Sequence, residues 1–374
     1  MNTKNILIFT DWYYPAFKAG GPITSIYNLV KLLKDDYVFH IVTGSRDLGS
    51  TEILDGVVVD RWCKGNFGEN ILYVSNDKLS RSTFNSIIEI TSPNILFLNS
   101  LFSVNFAIKP LIYSRKMSFS IFLSPRGMLH PQAFSQKRLK KAIFIRLLQC
   151  SPSFKRVCIL ATDEVEKTHI RKASFKNNIQ IVPNIPDLEL LEAPTKSVLN
   201  PVLAIVSRIA EEKNSIFALE VLHNVKGKVT VHWVGDCNNP AYFELFKGQI
   251  ADMPSHVSFQ LHGGRSKKHI QELLDSASFF FLPTLGENFG HAIFEALASG
   301  CPSIIGENTP FREIEKYNCG FLADLKSSKN TALQIDQLMA STHNNFIDLS
   351  KNAKRFAKEM FNSAEAKNAY KSIW

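Results

Sequence analysis

One alternation runs along nearly the whole chain: short apolar runs, each leading into a polar loop and then an amphipathic stretch. NILIFTDWYYP reads as a buried strand entering a loop. GGPITSIYNLVKLLKDD follows as a helix with Ile23, Ile26, Leu29, Val30 and Leu33 on one face. YVFHIVTG, NILFLNS, SIFLSPRG and KRVCILAT are further strands, DEVEKTHIRKA is an acid-started helix, and NIQIVPN closes this half. The stretch 183–201, PNIPDLELLEAPTKSVLNP, has four prolines and little periodicity. Beyond it the alternation restarts with VLAIVSRI, SIFALEVLHNV, KVTVHWVGD, HVSFQLHGG, KKHIQELLDSA, SFFFLP and NFGHAIFEALASG. Strands joined by helices imply parallel pairing, so the chain is expected to form two α/β domains with doubly wound sheets facing a central cleft. The expected bounds are 1–187, a linker 188–200, 201–358, and a C-terminal helix 359–374 that packs back on the first domain.

Composition sets limits on this reading. No apolar run reaches the length of a membrane span. The N-terminus enters a strand pattern directly, without the apolar region and cleavage site of a secretory leader. The six cysteines show no C-x-x-C and no pairing rhythm, so reduced thiols and a cytoplasmic location are expected, with no zinc site. The net charge of +9 is uneven: residues 1–192 carry 24 Lys/Arg against 16 Asp/Glu, residues 193–374 carry 19 against 18. Segment 136–156 has seven basic residues and none acidic, which suits an anionic surface or ligand. A solvated helix face would look the same. Only Phe144 and Phe154 interleave with this run, which argues against nucleic acid.

The chemistry concentrates after the strands of the second half. Arg208 follows VLAIVS at a strand's carboxyl end, and Lys213 stands five residues on. Two fixed cations there suit a diphosphate; alone, they also read as a surface Arg and Lys in a loop. In SFFFLPTLGENFGHAIFEALASG a strand leads to Glu287 in a loop, and a helix is expected from about Asn288 or Phe289, with Gly290 in its first turn. The amides of such a helix start attract anions. Glu295, about two turns in, is suited to accept hydrogen bonds from a vicinal diol such as a ribose. Either glutamate by itself also reads as an exposed residue of an amphipathic helix.

The stretches SRIAEEK, WVGD, LPTLGENFGHAIFEALASGCPSII and TPF resemble the C-terminal domain of retaining glycosyltransferases of family four. The spacing of Glu287 and Glu295 matches that family's Glu-x7-Glu signature. DWYYPAFKAGGPITSIYNLVKLL, SPRGML, ATDEVE and IVPNIPD resemble its N-terminal domain. The resemblance implies the GT-B fold, two Rossmann-like doubly wound domains facing a central cleft. It also implies roles. Arg208 and Lys213 hold the donor diphosphate, Glu295 binds the donor ribose, and Glu287 lies by the donor sugar. The amides of Asn288, Phe289 and Gly290 face sugar and phosphates. Gly20 and Gly21 let the backbone approach the pyrophosphate or the acceptor, although an ordinary turn before a helix reads alike. Many relatives carry a histidine in an N-domain loop that reaches the donor sugar; here Arg126 stands near that place and is expected as a catalytic residue with Glu287, Arg208 and Lys213, with His130 as the substitute candidate. His291 is expected to be structural. The linker reads Pro-Asn-Ile-Pro-Asp instead of Pro-Asn-Gly-x-Asp and is expected to touch no ligand.

The activity so implied is transfer of a hexose from a nucleotide diphosphate-sugar, by family habit a UDP-hexose, to a glycan hydroxyl with retention. The family's account needs no metal, and the sequence has no D-x-D triplet, so no cofactor is expected. The acceptor is expected to be a glycan on a polyprenyl-pyrophosphate, in O-antigen or capsule assembly. Within 136–149, Leu139, Ile143 and Leu147 share a stripe flanked by Lys137, Arg138, Lys140, Lys141 and Arg146. The expected location is therefore peripheral, at the inner face of the plasma membrane. A sugar-nucleotide epimerase of the same fold and a catalytically silent nucleotide-sugar-binding protein are the rival readings.

Overall fold

The structure, a computed structural model, describes residues 3–75, 79–131, 134, 138–192, 196 and 199–374. The chain divides into two compact units. The first comprises Met1–Ile185 and Ser363–Trp374, the second Pro186–Asn362. Helix 359–374 of the sequence reading is split: one helix ends at Glu359 in the second unit, and Ser363–Ile373 belongs to the first. Residues 193–195, 197 and 198 of the expected linker lie outside the described residues.

The first unit holds a sheet in the order β3-β4-β2-β1-β5-β6-β7-β8. Its strands are β1 Lys4–Thr10, β2 Tyr37–Gly44, β3 Trp62–Lys64, β4 Asn70–Val74, β5 Ile95–Leu98, β6 Ser120–Leu123, β7 Val157–Ala161 and β8 Ile179–Ile181. All neighbours pair in parallel except β3 with β4. The helices are α1 Gly21–Leu33, α2 Arg81–Thr91, α3 Lys109–Tyr113, α4 Arg138–Cys150, α5 Pro152–Lys155, α6 Glu164–Lys172 and, from the C-terminal segment, Ser363–Ile373. Central strands are apolar along their whole length because helices cover both faces of a parallel sheet; Ile6, Leu7, Ile8 and Phe9 of β1 are all fully buried. The C-terminal segment seals this core. Trp374 is buried with its ring 5.6 Å from Tyr37, 6.3 Å from Phe39 and 5.9 Å from Phe97. Lys367 and Lys371 both pair with Asp36.

The second unit holds a parallel sheet in the order β11-β10-β9-β12-β13-β14. The strands are β9 Val202–Val206, β10 Val229–Val234, β11 Val257–Leu261, β12 Phe279–Leu282, β13 Ser303–Ile305 and β14 Gly320–Leu322. Its helices are α7 Ser215–Asn224, α8 Pro240–Ala251, α9 Lys267–Ser276, α10 His291–Ala298, α11 Ser328–Met339 and α12 His343–Glu359. We call the C-terminal helix Ser363–Ile373 α13. Trp233, Phe246, Phe279 and Phe281 fill the core of this unit. The strands run parallel, so the loops after β9, β10, β11 and β12 leave from one edge, where ligands of open α/β sheets bind.

Among the described residues, no helix is long and apolar enough to cross a membrane. All six cysteines are free.

Candidate active site

In the second unit two loops carry the predicted cations and Glu287, and they are fastened to each other. A 3-10 turn, Glu211–Lys213, follows β9. The carbonyl of Glu212 accepts the N–H of Leu285 at 3.1 Å and the Thr284 hydroxyl at 3.2 Å. Lys213 is thereby held beside the loop after β12, and its Nζ donates to Glu287 Oε1 at 2.6 Å. From the other side the N–H of Glu287 reaches the carbonyl of Asn308 at 3.0 Å, and Asn308 Nδ2 donates to the carbonyl of Leu285 at 3.2 Å. Glu287 is thus fixed in main chain and side chain.

Arg208 takes a different partner: its Nη2 pairs with Glu212 Oε1 at 3.0 Å, and the pair is solvent-accessible. Its backbone is braced by WVGD. The Trp233 indole donates to the carbonyl of Ser207 at 3.0 Å, and the N–H of Ile209 reaches the carbonyl of Asp236 at 3.0 Å. The Asp236 carboxylate accepts the N–H of Gly264 at 2.6 Å, which ties the loop after β11 to the loop after β10.

The helix after Glu287 starts later than the sequence suggests. Gly290 has φ 82°, a left-handed conformation, and serves as N-cap, so α10 begins at His291 rather than near Asn288 or Phe289. Asn288 and Phe289 stand in the loop ahead of it. A Cβ on Gly290 would lie 3.5 Å from the Cβ of Glu287, so cap and carboxylate-bearing residue are neighbours. The Phe289 ring packs near Phe311 and Phe294, and His291 lies 4.7 Å from Phe289.

Glu295 lies half-buried on α10. Burial pushes its carboxyl up to about 7, Lys267 opposes that rise, and Asp187 adds to it. Asp187, the last residue of Pro-Asn-Ile-Pro-Asp, is itself buried and forms an ion pair with Lys267. The linker motif therefore bears on the Glu295 carboxyl, which the sequence reading did not anticipate.

The remaining predicted residues belong to the first unit. Gly20 caps α1 with φ 64°, its side open, and Gly21 is the first helical residue. Arg126 follows β6 with φ 51°. Its Nε donates to Asn99 Oδ1 at 2.8 Å, Nη1 donates to Asn184 Oδ1, and Phe97 lies 6.0 Å from its guanidinium. Asn99 in turn donates to Thr10 Oγ1 at 3.2 Å. The His130 ring stands edge-on to His169 at 5.1 Å. The structure thus joins Lys213 with Glu287, and sets Arg126 in a polar network of the first unit.

Residues 188–360 match the family model described as Glycosyl transferases group 1. The match covers almost all of the second unit and just under half of the chain. No curated protein matches the chain. Among solved structures, Anabaena HepE in complex with UDP and glucose is similar over 99% of both chains, at 17% identity and a TM-score of 0.73. Sucrose-phosphate synthase from Thermosynechococcus elongatus is similar over 99% of this chain and 98% of its own, at 15% identity and a TM-score of 0.72. WaaG, a glycosyltransferase involved in lipopolysaccharide biosynthesis, is similar over 95% of each chain, at 14% identity and a TM-score of 0.63. At these identities the likeness is one of fold, the GT-B fold with two Rossmann-like α/β domains.

Proposed function

We propose that the chain is a retaining glycosyltransferase that moves a hexose from a nucleotide diphosphate-sugar, a UDP-hexose, to a hydroxyl of a glycan acceptor. The observation that carries this reading is the Lys213–Glu287 pair, held at the carboxyl edge of the second sheet at the head of the helix that bears Glu295. A cation and two carboxylates supply partners for the three parts of such a donor: its diphosphate, its ribose and its sugar. Lys213 and Arg208 meet the diphosphate and offset the charge that grows on it as the glycosidic bond breaks. Glu295 accepts the ribose hydroxyls. Glu287 is oriented by Lys213 toward the sugar, with the loop 288–290 alongside. The family match over 188–360 and the UDP complexes of a protein of the same fold support this assignment.

In the same proposal the first unit serves the acceptor, a glycan carried on a lipid pyrophosphate in surface-polysaccharide assembly, with Gly20 and Gly21 leaving its backbone open to the acceptor or to the pyrophosphate. Helix α4 supports a membrane-surface location. Leu139, Ile143 and Leu147 are 75%, 52% and 69% exposed, while Ile145 and Leu148 of the same helix enter the core. Lys140 and Arg146 are exposed beside the apolar stripe. That face combines apolar anchors with positive charge, as interfacial helices do. Gln136 and Lys137 of the predicted basic segment lie outside the described residues.

The test is thermal unfolding with UDP, GDP and ADP, on the wild type and Glu295→Ala. A nucleotide at 100 times its dissociation constant stabilises by about 2.7 kcal/mol. A shift with UDP that is lost in the variant is the expected result, followed by an α-linked product from an α-linked donor in NMR. No shift with any nucleotide removes the proposal.

A further inference from the structure

Glu295 sits in a field made by two other charged side chains. α10 packs against the 3-10 turn Leu188–Glu192 and against α9. α12 packs on it as well. These elements carry other charges, Glu189 and Glu192 on the turn, Lys268, Glu272 and Asp275 on α9, and Lys351, Lys354 and Arg355 on α12, but the two that act on Glu295 are Asp187, just ahead of the turn, and Lys267, the first residue of α9. The Asp187 carboxylate accepts from Lys267 Nζ through Oδ2, and from the N–H of Glu189 at 3.2 Å through Oδ1. Asp187 is therefore fixed at the turn and buried, whereas the Lys267 side chain is 44% exposed. No hydrogen bond among the described residues engages the Glu295 carboxyl; the charges that act on it are those of Lys267 and Asp187. Lys267, the cation that acts on Glu295, is thus tied to the buried Asp187.

This arrangement solves a problem that a diol-binding carboxylate faces. To accept two vicinal hydroxyls, both of its oxygens must be open. A lysine within reach would take one of them in a charge-assisted bond stronger than a bond to a neutral hydroxyl. Lys267 is the cation whose field reaches Glu295. We infer that Asp187 is a positioning residue that retains Lys267 and so keeps the Glu295 carboxylate open to the ribose diol of the donor. The inference rests on the donor site proposed above. It also assigns the Pro-Asn-Ile-Pro-Asp segment a part in nucleotide binding that its place at the unit boundary does not suggest.

The decisive measurement is UDP affinity between pH 5.5 and 8.5 for the wild type, Asp187→Asn and Lys267→Met. The ionised carboxylate is the diol acceptor, so wild-type affinity falls as pH drops through about 7. In Asp187→Asn the released lysine turns to Glu295. The midpoint moves to lower pH, and affinity at pH 8 falls about tenfold because one carboxylate oxygen is occupied. In Lys267→Met the opposing cation is gone: the midpoint moves to higher pH, and affinity at pH 8 stays within about threefold of wild type. A purely structural ion pair would weaken binding in both variants in the same direction at every pH. Midpoints that move together, or not at all, in variants that bind UDP overturn the inference and leave the donor site standing. A wild type that binds no nucleotide removes the donor site first, and this role with it.

Discussion

Lys213 and Glu287, 74 residues apart in the chain, meet at 2.6 Å with side chains only 18% and 13% exposed. Removing either leaves the other ionised in a partly desolvated place. We expect Lys213→Ala to lower turnover at least 100-fold, the scale of losing one preorganised charge contact, and to destabilise the fold by about 1–3 kcal/mol. Arg208→Ala should lower turnover similarly but hardly change stability, because the Arg208–Glu212 pair is solvent-accessible and such pairs contribute about 0–1 kcal/mol. Single-turnover kinetics and urea titration of both variants check the contrast.

Trp233→Phe keeps the aromatic volume in the core and deletes one donor. The carbonyl of Ser207 then loses its indole partner next to Arg208. The expected cost is about 1–3 kcal/mol in chemical denaturation. The measurable companion is weaker UDP binding, since the backbone that presents Arg208 is less firmly held.

Gly290→Ala places a Cβ at φ 82°, where it would lie 3.2 Å from Ile293 Cδ1. A left-handed backbone costs an alanine about 1–2 kcal/mol. The strain falls on the loop between Glu287 and α10, so thermal unfolding and donor affinity should decline together.

Glu295 gives a stability profile with a definite sign. Its folded-state carboxyl titrates at about 7, above the ordinary glutamate value of 4.5, so the native state holds a proton that the unfolded state releases. The stability advantage of the neutral form is complete below pH 4.5 and is lost as pH rises through 7. Glu295→Gln has no such loss. In the absence of ligand it should be more stable than wild type at pH 8 and nearly equal at pH 4.5, while UDP no longer raises its melting temperature. Differential scanning calorimetry at the two pH values decides this.

Substituting Leu139, Ile143 and Leu147 together by serine removes the exposed apolar stripe of α4. Exposed positions like these change stability within about 0.5 kcal/mol each. Flotation with vesicles rich in anionic lipid should recover the wild type and not the triple variant. Equal recovery of both proteins would count against the membrane-surface location.

The buried parallel strands were legible as continuous apolar runs, and the loops after them as places for charged side chains. β3 and β14 were not. β4 and α2 escaped the same reading, although Ile71–Val74 is a continuous buried run and Phe84 and Ile87 of α2 share one face. The residues of the candidate site could be named from sequence, but not their partners. Whether Lys213 or Arg208 meets Glu287 depends on the 3-10 turn after β9, whose path is set by the bonds of Glu212 to Thr284 and Leu285. Asp187 and Lys267 had no local signal, since they are 80 positions apart and meet only because the turn after Asp187 and α9 both pack on α10. Spacing placed Arg126 in a loop after a strand; only the fold shows its guanidinium turned to Asn99 and Asn184.

Trp374 and α13 complete a core begun by β1, β2 and β5. On the ribosome, the residues that seal the first unit emerge after all of the second unit. The first sheet must therefore wait, with its tryptophan site open, while the second unit folds. A nascent chain of this kind leaves Tyr37, Phe39 and Phe97 without their tryptophan for the time needed to translate residues 186–362, which makes the first unit, although synthesised earlier, the last to finish.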